Sequence, residues 1–90
     1  MHHYRGRLFQ GEMPRLDPAN VYVDFGPPGD GGSPDWSGYL VVKSEHDVAA
    51  GATYTLKLED GRSGSLQVKS VGPDDPDRFR AEFVGLGPMQ

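Results

Sequence analysis

Ninety residues, 36% of them apolar, with a mean hydropathy of −0.58, make one small domain (1–90) with a thin core. With no cysteine, disulfide staples and thiolate zinc sites are excluded. A net charge of −4 argues against delocalised binding to a phosphate backbone, because counterion release needs a basic surface. No apolar run approaches the roughly 20 residues of a membrane span. Arg5, Gly6 and Arg7 also interrupt any signal-peptide core at the N-terminus. These features lead us to expect a soluble, cytoplasmic domain of bacterial type with no membrane partner.

In chain order, residues 4–10 alternate, with Tyr4, Gly6 and Leu8 on one face and Arg5, Arg7 and Phe9 on the other. His2 and His3 read as a frayed terminus. Residues 11–20 carry Pro14 and Pro18 and read as a connection. Residues 21–25 form the next expected strand, with Val21, Val23 and Phe25 inward and Tyr22 outward. Residues 26–35 (Gly-Pro-Pro-Gly-Asp-Gly-Gly-Ser-Pro-Asp) have the composition of a mobile loop. Their glycines do not suggest a phosphate cradle, because a strand rather than a helix follows. Residues 36–43 are apolar on both faces, as in a central strand or one covered on its second side. Residues 44–52 read as a connection with one helical turn over 47–50, stopped by Gly51.

The clearest pattern lies at 54–71. Tyr54, Leu56 and Leu58 alternate with Thr55, Lys57 and Glu59, Asp60-Gly61 supplies a tight turn, and Leu66 and Val68 resume the alternation. Residues 72–77 read as an exposed Pro-Asp turn. The last strand, 78–84, puts Phe79, Ala81 and Phe83 inward and Arg78, Arg80 and Glu82 outward. About six short strands without a helix of ordinary length predict an all-β fold. We expect a single small antiparallel six-stranded β-barrel or barrel-like sandwich, connected as a meander.

Catalytic chemistry finds little support. His46 lies between Glu45 and Asp47, but sequence neighbours on a loop are a common surface arrangement and a two-ligand metal site is a weak signal. No serine has nucleophile-elbow flanks. The expectation is therefore no enzyme and no cofactor. Aromatic and arginine side chains on outward faces are the better lead, namely Trp36, Tyr22 and Tyr39 with Arg5, Arg7, Arg78 and Arg80. If the first and last strands pair, the four guanidiniums form one positive patch. The alternative is that the arginines balance nearby acids and Trp36 plugs the core. Arg62 at the hairpin tip is a separate binding candidate.

The segment Asp35-Trp36-Ser37-Gly38-Tyr39-Leu40-Val41-Val42 is similar to the Asp/Asn-x-Ser-x-x-Gly strand opening of PilZ domains, and the likeness extends to residue 86. Leu40 stands where that family has glycine, and no Arg-x-x-x-Arg precedes the barrel. The resemblance implies a six-stranded barrel binding the nucleotide cyclic di-GMP, with Asp35, Ser37 and Arg5 or Arg7 as ligand residues. The functional expectation from the residues themselves is a non-catalytic module binding another protein. Alternatives are a PilZ-like nucleotide sensor, an OB- or SH3-like single-strand nucleic-acid binder, which the acidic charge disfavours, and a self-associating structural protein.

Overall fold

The computed structural model describes residues 2–25 and 36–87, so the expected mobile loop at 26–35, with Asp35, lies outside the described residues. Six strands form wherever apolar and polar residues alternate: β1 (His2–Gln10), β2 (Met13–Phe25), β3 (Trp36–Val42), β4 (Thr53–Leu58), β5 (Ser63–Asp75) and β6 (Arg78–Gly85). They close into an antiparallel barrel in the order β1-β2-β3-β6-β5-β4. The inward positions supply the core, with Leu8, Val21, Val23, Leu40, Leu56, Leu66, Val68 and Ala81 all fully buried. Among the described residues no polar or charged residue is buried, and no helix is long and apolar enough to cross a membrane.

The connectivity differs from a simple meander. β1-β2-β3 and β4-β5-β6 are each a three-stranded meander, and the two are sewn together by β3–β6 and β1–β4 pairing. The first and last strands therefore do not pair, since β2 and β3 stand between them on one side and β4 and β5 on the other. Residues 43–52 carry the chain from β3 to β4 on the opposite side of the ring. Val48, 2% exposed, anchors this crossover in the core, and the Ala49 amide donates to Tyr54 Oη at 2.9 Å. Instead of a helical turn, the segment makes two tight turns. Asp47 N–H donates to the Ser44 carbonyl and Ala52 N–H to that of Ala49, with Gly51 at φ +87°.

Two strands are longer than their composition suggests, and β-bulges together with one-sided pairing accommodate the prolines in them. Gly6 pairs with Ala19 and Leu8 with Leu16, so Asp17 and Pro18 together oppose Arg7 alone. Arg15 is a second extra residue, between the Leu8–Leu16 and Phe9–Pro14 pairs. A bulge interrupts the hydrogen-bond ladder, so a proline there sacrifices no ladder donor, and β2 starts at Met13 instead of after a connection. In β5 the extra residues are Lys69 and Asp74. That strand runs through Pro73 to Asp75, leaving only Pro76-Asp77 as the turn.

A ring of six strands is tightly curved, and backbones pass close to one another. Gly38 pairs with Val23 and Phe83, and a Cβ there would run into the Tyr22 carbonyl oxygen. Replacing Gly38 by Ala is expected to lower stability by about 2–3 kcal/mol through overpacking. Gly72→Ala, whose Cβ would meet nothing within 4 Å, should leave it within about 1 kcal/mol of wild type. Urea denaturation checks both, and equal midpoints for the two variants would contradict the close approach at Gly38.

Candidate functional site

Strand alternation sends Tyr22 of β2, Tyr39 of β3 and Arg80 of β6 to the outside of the barrel, and the pairing register decides that they meet. His3 pairs with Tyr22, Tyr22 with Tyr39, and Val41 with Arg80, which sets Arg80 diagonally beside Tyr39. The Tyr22 and Tyr39 rings stack at 4.8 Å with 19° between their planes. His3 leans on the other side of Tyr22 at 4.9 Å and 38°. The Arg80 guanidinium lies 4.0 Å over the Tyr39 ring, and its Nη2 reaches Asp74 Oδ1 at 3.1 Å. His3 Nε2 is 3.2 Å from Asn20 Oδ1. The buried Nε of Arg80 has no hydrogen-bond partner among the described residues.

The result is a continuous row, His3–Tyr22–Tyr39–Arg80–Asp74, crossing five of the six strands. Each aromatic contact is worth about 0.5–1.5 kcal/mol beyond area burial. The Arg80–Asp74 pair, with side chains 40% and 28% exposed, adds at most about 1 kcal/mol. Because each ring face is covered by its neighbour, the row offers ring edges and hydroxyl groups to a partner.

One residue further along the same face, Asn20 pairs with Val41 and Val41 with Arg80. Beyond them opens a cleft of about 720 Å³ whose lining includes Arg15, Leu16, Pro18, Val41, Lys43 and Arg78. The stack and the cleft form one continuous surface over β2, β3 and β6.

Four candidate residues thus come together, Tyr22, Tyr39, Arg78 and Arg80. Trp36 does not join them. It is 3% exposed, packs edge-to-face on Phe83 at 5.7 Å, lies where a Cβ on Gly85 would sit, and donates from Nε1 to the Gly87 carbonyl at 2.6 Å. As the first inward residue of β3, followed on that side by Gly38, Leu40 and Val42, it fills a core position. The four arginines do not form one patch either. Arg5 pairs with Asn20, so three strand spacings, about 14 Å, separate it from Arg80, and Arg7 lies 3.6 Å from Asp17 within the bulge. Ser37 is exposed and pairs with Asp24, two residue pairs beyond the Tyr22–Tyr39 pair from Arg5's row.

Two residues have roles their sequence context hid. His3, which reads as frayed, is ordered by Tyr22. Arg62 folds back from the hairpin tip over the rings of Tyr4 at 5.0 Å and Phe25 at 4.8 Å, capping one end of the barrel. Asp60 holds it there, with Oδ2 2.7 Å from Nη2 and Oδ1 accepting the Arg62 amide at 3.0 Å. Those hydrogen bonds from Arg62 hold the Asp60 carboxyl below its ordinary range. Asp60 first, and then Tyr4, push the guanidinium further up. His46 lies 3.8 Å from Glu45, both exposed. Among the described residues no three His, Cys, Asp or Glu side chains converge on a metal position.

Trp36→Ala is expected to lower stability by about 3–5 kcal/mol, read by chemical denaturation; a folded variant of unchanged stability would return Trp36 to the surface. The depressed Asp60 carboxyl favours the folded state above the ordinary aspartate value of about 4. That contribution is lost as pH falls through the depressed folded value. Wild type should therefore melt above Asp60→Asn at pH 7, with the gap closing below about pH 4; a gap independent of pH would contradict the Asp60–Arg62 cap. No family model, curated protein or solved structure matches this chain.

Proposed function

We propose that this protein is a non-catalytic binding module that engages another protein through the outer face of β2, β3 and β6, centred on Tyr22, Tyr39 and Arg80. The observation that carries this reading is the ordered Tyr–Tyr–Arg row on the outside of the barrel. Tyrosine and arginine dominate binding hot spots, and side chains that already brace one another lose little rotamer freedom when a partner arrives. Within the closed ring the strands are paired on both sides, and one-sided pairing is found in extensions such as residues 13–19 of β2 and 70–75 of β5. On the face of β2, β3 and β6 recognition therefore falls to side chains rather than to strand addition. Nucleic acid is disfavoured by two features. The ring faces on which bases would stack are covered, and the net charge is −4. A cyclic-dinucleotide site draws less support, because Ser37 and Arg5 stand on separate rows and Arg7 is engaged by Asp17.

The test compares wild type with the Tyr22→Ser/Tyr39→Ser double variant in cross-linking capture, after amide spectra show both folded. A directly bound protein whose affinity falls at least about tenfold with the double variant supports the reading. Identical capture at equal affinity would place the interface elsewhere.

A further inference from the structure

We infer that the cleft at the foot of the stack receives a carboxylate-bearing segment, an acidic peptide with apolar side chains, held by Arg15, Lys43 and Arg78. This deepens the protein-binding reading and rests on it for the class of partner, while the cleft itself rests on a separate observation, the distribution of uncommitted charge.

Of the nine lysines and arginines, Arg7, Arg62 and Arg80 are ion-paired with Asp17, Asp60 and Asp74. Lys57 lies over the Phe9 ring. Arg5, Arg15, Lys43, Lys69 and Arg78 make no ion pair among the described residues, and three of these five line the one cleft. Arg15 makes only a long contact, 3.3 Å, to the Asp47 carbonyl oxygen. Three acids also line the cleft, and one of them is paired with a cation outside it. Asp17 faces Arg7, and Asp47 Oδ2 accepts the Ser44 amide at 3.3 Å. Asp47 keeps its charge despite that bond, so Asp47 and Asp77 stand against three cations, a surplus of one. On a chain of net charge −4, this is a local surplus of positive charge whose reach is limited to about 10 Å at ordinary ionic strength.

Shape and polarity narrow the ligand. Leu16, Pro18 and Val41 give the cleft an apolar floor, and the cations stand around it. A volume of about 720 Å³ holds a few side chains. Arg15, Pro18, Lys43 and Arg78 are exposed, so the cleft opens along the outside of the barrel, where an extended segment can lie across it. Apolar groups would then contact the floor while carboxylates pair with the guanidiniums, a geometry arginine serves bidentately.

The probe is a capped hexapeptide of alternating Glu and Leu, titrated into the ¹⁵N-labelled full chain at low salt. The matched Gln-Leu peptide and inorganic phosphate serve as comparison ligands. The expected result is saturable shifts at the amides of Arg15, Leu16, Val41, Lys43 and Arg78, with affinity falling at least about tenfold in a folded Lys43→Gln/Arg78→Gln variant. Equal binding of the Gln-Leu peptide, phosphate binding as tightly as the acidic peptide, or shifts confined to another surface would each overturn the inference, as would no binding. Because the stack is tested separately by partner capture with the tyrosine variants, failure of the peptide titration removes the cleft assignment and leaves the stack standing.

Discussion

The pairing of β3 with β6 and of β1 with β4 is the constraint on which the rest of this molecule depends. Each three-stranded meander alone would expose an apolar face and two unpaired edges. Joining them along both seams turns the two faces inward onto one core and pairs the edges of the two meanders with each other around the ring. A chain with 36% apolar residues and, among its described residues, no helix to cover a sheet can bury its hydrophobic side chains in this way without a second layer. The close approach at Gly38 is a local consequence of that tight curvature, since a backbone crossing at such a distance leaves no room for a side chain.

Closure also leaves two open ends, and the chain seals each with what lies nearby. At one, the crossover drops Val48 into the core and ties itself to Tyr54. At the other, Arg62 lies on Tyr4 and Phe25 and is held by Asp60. The flat guanidinium covers aromatic surface while its polar atoms stay within reach of a carboxylate, so a charged residue serves where a hydrophobe would leave apolar surface in water. The same chemistry recurs outside the barrel, where Arg80 lies on Tyr39 and reaches Asp74. In both places arginine orders aromatic side chains, and only in the second does the ordered group face outward across several strands.

The outer face follows from register. Outward residues on neighbouring antiparallel strands stand side by side, so His3, Tyr22 and Tyr39 became a row once β1, β2 and β3 paired as they do. The bulges in β2 contribute as well. By inserting Arg15 and the Asp17-Pro18 pair they redirect the strand beside Lys43 and Arg78, and the cleft lies at that bend.

Period-two alternation belongs to each strand separately, and this local property was legible in the residues alone. It identified about six strands, the inward Leu8, Val21, Val23, Leu56, Leu66 and Val68, the Asp60-Gly61 turn, and the outward placement of Tyr22, Arg78 and Arg80. Prolines in β2 and β5 concealed the full length of those strands, because only the partner strands show that Pro18 falls in a bulge and that Pro14 and Pro73 stand opposite Phe9 and Phe79. Trp36 read equally well as core or surface, since β3 is apolar on both sides and only the far wall of the barrel settles which side is inside. Which strands are neighbours, and hence that Tyr22, Tyr39 and Arg80 meet while Arg5 and Arg80 do not, was decided by tertiary structure. Strand order depends on contacts between residues far apart in the chain, and no local pattern encodes them.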